Sequence, residues 1–171
     1  GKVALALAER LRDQPLQVWV IDSTPETKSP GGSAWDMLRL IRGLPQTFAT
    51  REEAADAIVA GGYSRGVAAW MSTNLERQGA HFEWRLDFSV MEPLLHDFFT
   101  EDLWPAVEHH APGHALHFLK ASTSSAMSDE AASRIEALND AQVSLHRRDG
   151  THWIHAESPE IVIDLLLAHL A

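Results

Sequence analysis

The run Gly150-Thr151-His152-Trp153-Ile154-His155-Ala156-Glu157-Ser158-Pro159 sets a histidine between a short strand-like segment and a terminal helical one. In open sheets covered by helices, loops beyond the C-terminal ends of the strands collect ligands and reactive groups. A histidine placed there is a candidate for such a group. The ordinary alternative is a surface or packing histidine, and the residue types alone leave both open. A second pattern, Gly62-Tyr63-Ser64-Arg65-Gly66, satisfies Gly-x-Ser-x-Gly, the form of a nucleophile elbow. An elbow needs a buried strand in front of it, so that the serine stands on a strained strand-to-helix turn. What precedes Ser64 is Arg51-Glu52-Glu53-Ala54-Ala55-Asp56-Ala57-Ile58-Val59, charged and helix-forming. Ser64 is therefore read as a loop serine of an inserted helical segment. His109, His110, His114 and His117 form a third candidate group. Glu108 is the one acid at ligand-like spacing from them, and three residues along a strand put His114 and His117 on opposite faces. Neither a metal site nor a cofactor is expected from them.

The elements that must position these residues follow from periodicity. Val3, Ala4, Leu7, Ala8 and Leu11 recur at helical spacing, so residues 2 to about 13 are expected to form an amphipathic helix. Leu16 to Ile21 reads as a short apolar strand that stops at Asp22, and Ser23 to Gly32 as a loop rich in breakers. From about 33 to 105 the pattern is helical in four segments, around Trp35–Ile41, Ala54–Val59, Val67–Met71 and Val90–Phe99. His114 to Lys120 reads as a second strand and Gln142 to His146 as a third. Between them lies a helix over 128–139, capped by Ser128 with Asp129 and Glu130 in its first turn. A last helix starts near Pro159 behind Ser158. Strand and helix thus alternate at both ends of a helical insertion, which implies an α/β fold built on a parallel sheet.

Composition narrows the partners. The chain has 171 residues, 45% hydrophobic and 22% charged, enough for a sizeable core. Its 24 acidic residues against 14 basic ones give a formal charge of −10. That charge, with no Lys/Arg stripe to reverse it locally, argues against nucleic acid as a partner. The absence of cysteine excludes disulfides, thiolate metal sites and a cysteine nucleophile. No apolar run approaches the ~18 residues needed to span a bilayer, so no membrane span is expected. The opening Val3–Ala8 is too short for a signal peptide and runs directly into charge. A cytoplasmic location is the expectation.

The His152 segment closely resembles the Gly-His-Trp-x-His-x-x-x-Pro motif of α/β-hydrolases, with Thr151 inserted after the glycine. Gly1-Lys2-Val3-Ala4-Leu5-Ala6-Leu7-Ala8 is similar to the residues just after the nucleophile elbow of that family, where Gly-x-Ser-x-Gly-Gly-Lys-x-Ala leads into a helix. Val18-Trp19-Val20-Ile21-Asp22-Ser23-Thr24-Pro25 resembles the next strand of one subgroup, which ends Ile-Asp-x-x-Pro. Trp70-Met71-Ser72-Thr73-Asn74-Leu75 and Phe82-Glu83-Trp84-Arg85-Leu86 resemble its cap. That subgroup comprises small bacterial esterases and mitochondrial abhydrolase-domain esterases acting on acyl esters and thioesters. The resemblance covers essentially the whole chain.

The resemblance implies an α/β-hydrolase core over 1–32 and 106–171 and a helical cap over 33–105. It makes His152 the general base of a Ser-His-Asp triad and maps the acid to Asp22, with Ser124 as an additional site residue. Asp129 is better explained as a helix-start residue, Asp87 as part of the cap, and Asp22 could otherwise be a turn residue bonding its own backbone. The serine is expected upstream of Gly1, in an N-terminal segment of the same protein that would be this chain's partner. The implied substrate is a small acyl ester or thioester, and no cofactor is implied. The cap is expected to shelter an apolar cleft above His152, with Trp70, Trp84 or Phe98 among its lining. The rival readings are a non-catalytic ligand-binding protein on the same fold and a dehalogenase-type hydrolase with an Asp nucleophile.

Overall fold

A computed structural model describes residues 1–170. In chain order its elements are α1 (Lys2–Arg10), β1 (Leu16–Ile21), α2 (Ser33–Gly43), β2 (Thr47–Phe48), α3 (Arg51–Ala60), α4 (Arg65–Ser72), β3 (Leu75–Gln78), β4 (His81–Trp84), α5 (Phe88–Thr100), α6 (Trp104–Glu108), β5 (His114–Ala121), α7 (Asp129–Ala137), β6 (Val143–Arg148), α8 (Ile154–Glu157) and α9 (Pro159–Leu167). They pack as two compact units, one of Gly1–Pro30 with Asp97–His152 and one of Gly31–His96 with Trp153–Ala171.

The first unit holds a parallel sheet in the order β1-β5-β6. Strand β5 is central, and its residues are almost all buried, as expected of a strand covered on both faces. The register pairs Val20 with Phe118 and Phe118 with Leu145. Side chains alternate along a strand, so Val18, Val20, Leu116, Phe118, Val143 and Leu145 share one face. Against that face pack Leu5 and Ala8 of α1, Val107 of α6, and Ala131, Ala132 and Ile135 of α7. The other face carries Trp19, His117, Leu119 and His146. Ser128 caps α7 by accepting from the Ala131 N–H at 2.9 Å, and Asp129 and Glu130 occupy the first turn. This α/β arrangement, with a parallel sheet flanked by helices, is the fold class the alternation implies.

The second unit has its own core of Met37, Ile41, Phe48, Ala54, Ile58, Val67, Ala68, Met71, Leu75 and Trp84. Here one expectation is corrected. The stretch 33–105 is not helical throughout: β2, β4 and β3 form a small antiparallel sheet in that order. Its hairpin turns at Gly79, where φ is +60°, and Leu75 pairs with Trp84 while Arg77 pairs with Phe82. Glycine takes that conformation without a Cβ penalty, and the apolar residues Phe82 and Trp84 alternate with polar ones at the strand period. These strands form a sheet of their own and do not extend β1-β5-β6.

Candidate active site

Three loops at the C-terminal ends of the parallel strands build the site, all within the first unit. The first begins where β1 ends. The Asp22 N–H still pairs with the Leu119 carbonyl at 2.8 Å, and the backbone then turns sharply, with φ at +43°. Aspartate tolerates this left-handed conformation better than most residues because its short side chain finds local donors. The turn drives the Asp22 carboxylate into the protein, where the side chain is 1% exposed.

The second loop, after β5, supplies donors to it. Asp22 Oδ1 accepts from the Ala121 N–H at 2.9 Å, and Oδ2 accepts from the Ser124 hydroxyl at 2.5 Å. Ser124 Oγ in turn accepts from the Ala126 N–H at 3.1 Å, which fixes the hydroxyl's direction. The third loop, after β6, brings His152, whose Nδ1 lies 2.8 Å from Asp22 Oδ2. The imidazole is one quarter exposed. The structure thus places Asp22, Ser124 and His152 around one carboxylate oxygen.

The second and third loops are laced together. Thr123 donates to the Gly150 carbonyl from its N–H at 3.0 Å and from its hydroxyl at 2.7 Å. The Gly150 N–H reaches Ser122 Oγ at 3.3 Å. Gly150 has φ of +151°, which a side chain would disfavour. Glycine two residues before His152 therefore lets the loop turn back onto β5 and hold the imidazole in place.

Electrostatics follow from this packing. Burial is the largest single influence on Asp22 and pushes its carboxyl up. Hydrogen bonds from His152, Ser124 and the Ala121 N–H, with the charge of His152, outweigh it, and the group sits below its ordinary value of 3.8. A buried carboxylate that stays ionised beside the Nδ1 edge of an imidazole favours the tautomer with the proton on that nitrogen.

No family model matches the chain. It is 26% identical over 178 residues to sn-1-specific diacylglycerol lipase ABHD11 of Danio rerio, covering 99% of this chain and 54% of that protein. The mouse (Mus musculus) protein of the same name is also 26% identical, over 180 residues, covering 100% of this chain and 56% of its own length. The chain therefore spans about half the length of these curated relatives. Among solved structures, a marine microorganism esterase superposes with a TM-score of 0.76 at 20% identity, over 99% of this chain and 66% of that one. E-2-(acetamidomethylene)succinate hydrolase does so with a TM-score of 0.69 at 16% identity, over 96% of this chain and 60% of its own. The chain has the α/β-hydrolase fold.

Within this fold the chain forms a parallel sheet of three strands, and the site lies on the loops that follow them. The remaining sequence candidates fall elsewhere. Ser64 caps α4, its Oγ accepting from the Val67 N–H at 3.3 Å. It follows α3 and the Gly61-Gly62 turn, so no strand precedes it. Asp129 is exposed and pairs with Lys120 Nζ at 3.3 Å, while His152 pairs with Asp22. Asp87 bonds the hydroxyl and N–H of Ser89, as a local turn residue does. The four histidines of the 109–117 group do not converge. His110 meets Asp140, and His114 meets the Leu11 and Gln14 carbonyls. His117 lies on the opposite face, against Trp19 and His146.

Sequence reasoning missed Ala121 as a donor, the Ser122/Thr123 lacing to Gly150, and a staple at the start of α1. In that staple the buried Lys2 ammonium donates to the Glu26 carbonyl at 2.8 Å and to the Glu101 carbonyl. The Glu26 carboxylate accepts from the Ser128 hydroxyl at 3.0 Å. The hydroxyl-rich run Ser122-Thr123-Ser124-Ser125 was the available signal for the lacing. A buried Lys2 had none.

Proposed function

We propose that the full-length protein is a serine hydrolase of carboxylic ester or thioester bonds, with His152 as general base, Asp22 as its orienting acid and the serine on sequence upstream of Gly1. The observation that carries this reading is the buried, ionised Asp22 carboxylate held 2.8 Å from His152 Nδ1. A merely structural histidine does not require a carboxylate fixed by two further donors. In the reaction, His152 Nε2 takes the serine proton as the serine oxygen attacks the acyl carbonyl. The resulting imidazolium gives that proton to the departing alcohol or thiol, and the cycle repeats with water to release the acid. Asp22 stays ionised throughout. Ser124 keeps Asp22 Oδ2 in position for the imidazole.

Two further points support the assignment. A Cβ at Gly1 would lie 2.4 Å from the Ser23 side chain, so glycine there lets the start of α1 pack closely against the loop after β1. The relatives and structural neighbours named above are a diacylglycerol lipase, an esterase and a hydrolase. The test is hydrolysis of p-nitrophenyl acyl esters and acyl thioesters by the full-length protein and its His152→Ala variant. Turnover that falls at least ~1,000-fold in the variant supports the reading, and turnover that persists within tenfold overturns it.

A further inference from the structure

Away from the site just described, on the face of the sheet opposite the α1/α7 core, two imidazoles from neighbouring strands face each other. His117 Nδ1 lies 3.2 Å from His146 Nε2. The register explains the approach: β5 and β6 pair Leu119 with His146 and His117 with Ser144, so the two histidines are diagonal neighbours on one face. Both rings are held by Trp19 of β1. Its ring stacks on His117 at 4.3 Å and 12°, and on His146 at 5.6 Å and 20°. His117 is buried and His146 half-buried. We infer that His117 and His146 form a binding site for a borderline transition-metal ion of the Zn²⁺, Cu²⁺ or Ni²⁺ class.

Two imidazole nitrogens at 3.2 Å cannot face each other with both lone pairs bare, so the contact needs a bridging proton or a cation. The geometry accepts either. With metal–nitrogen bonds of about 2.05 Å, nitrogens 3.2 Å apart subtend roughly 100° at the ion. That angle lies close to tetrahedral and is open enough for square-planar ligation. On metal binding the bridging proton moves to the other nitrogen of its own ring. Each ring then stays neutral and offers a lone pair, and water completes the coordination. Both donors are imidazoles, which favours late first-row ions over the hard Ca²⁺ and Mg²⁺. Placement on adjacent strands of a rigid sheet, beneath a stacked indole, orders the donors before the ion arrives. The protein's net charge of −10 adds a favourable field for cations.

The experiment titrates tag-free full-length protein with CuCl₂, ZnCl₂ and NiCl₂, following heat, tryptophan fluorescence and the Cu²⁺ electron paramagnetic resonance spectrum. The site should take up Cu²⁺ saturably, quench Trp19, and show hyperfine coupling to imidazole nitrogen. His146→Ala and His117→Gln should each weaken binding at least about tenfold, while His110→Ala leaves it unchanged. Trp19→Phe should keep the binding and lose the quenching attributable to that ring. Because His117 is buried, the half-buried His146→Ala is the deciding variant if His117→Gln fails to fold. No saturable binding, or binding of equal affinity in His146→Ala, would overturn the site and leave the pair as a hydrogen bond alone.

Discussion

The loop around Ser64 satisfies a five-residue elbow pattern without a gap, whereas Asp22, Ser124 and His152 come from three loops and satisfy no local pattern together. The structure treats the two regions in opposite ways. Ser64 is exposed at the start of a helix, its hydroxyl spent on the Val67 N–H. Asp22 and His152, 130 residues apart, meet at 2.8 Å around a buried carboxylate. Parallel strands explain the contrast, because they deliver all their C-terminal ends to the same edge of the sheet. Residues one strand apart in space are then a whole helix crossover apart in sequence. A nucleophile pattern carries meaning only with the strand that must precede it, and α3 occupies that place before Ser64.

The largest expected effect that sharpens this contrast is at Asp22. In the full-length protein, Asp22→Asn should lower kcat by up to about four orders of magnitude, because the amide no longer fixes the imidazole tautomer. A loss of less than tenfold would remove Asp22 from the catalytic set. Next comes Ser124→Ala, which deletes a hydrogen bond to a charged group worth about 1.5–3 kcal/mol. It should cut kcat roughly 10- to 100-fold with KM nearly unchanged, and restoration by Ser124→Thr would mark a hydroxyl that positions Asp22.

The third effect concerns acid stability. The Asp22 carboxyl is lowered in the folded protein relative to its ordinary 3.8. Its ionised form therefore stabilises the fold fully above that value, and the contribution is lost as pH falls through the lower folded value. The thermal midpoint of the full-length protein should exceed that of Asp22→Asn near neutral pH. The gap should close as pH drops below 3.8, and a gap that widens there would reverse the assigned sign. The smallest effect belongs to Ser64→Ala, which should cost about 1 kcal/mol of stability through the lost cap and leave kcat unchanged. A fall in kcat there would blur the distinction between the two regions.

How much of the molecule is legible in its sequence differs by element. The strands at Leu16–Ile21 and His114–Ala121 and the capped α7 stand out because apolar runs and turn residues bracket them. The hairpin over Leu75–Trp84 does not, since three helical segments before it and one after it dominate the periodicity and Gly79 is a single marker. His152 can be singled out from its motif. Asp22 and Ser124 are reached through family resemblance, because nothing local to Asp22 shows that its carboxylate turns inward at a positive φ. The His117–His146 pair is invisible in the sequence for a similar reason: it depends on the register of two strands joined by a helix. Among the described residues no helix is long and apolar enough to cross a membrane, as the hydropathy pattern leads one to expect.

The most direct measurement is to treat the full-length protein with a fluorophosphonate probe and locate the adduct by peptide mass spectrometry. The expected result is stoichiometric labelling of a serine upstream of Gly1, labelling that collapses in His152→Ala, and none in the 171-residue chain alone. An adduct on Ser64 would contradict it, as would full labelling without His152.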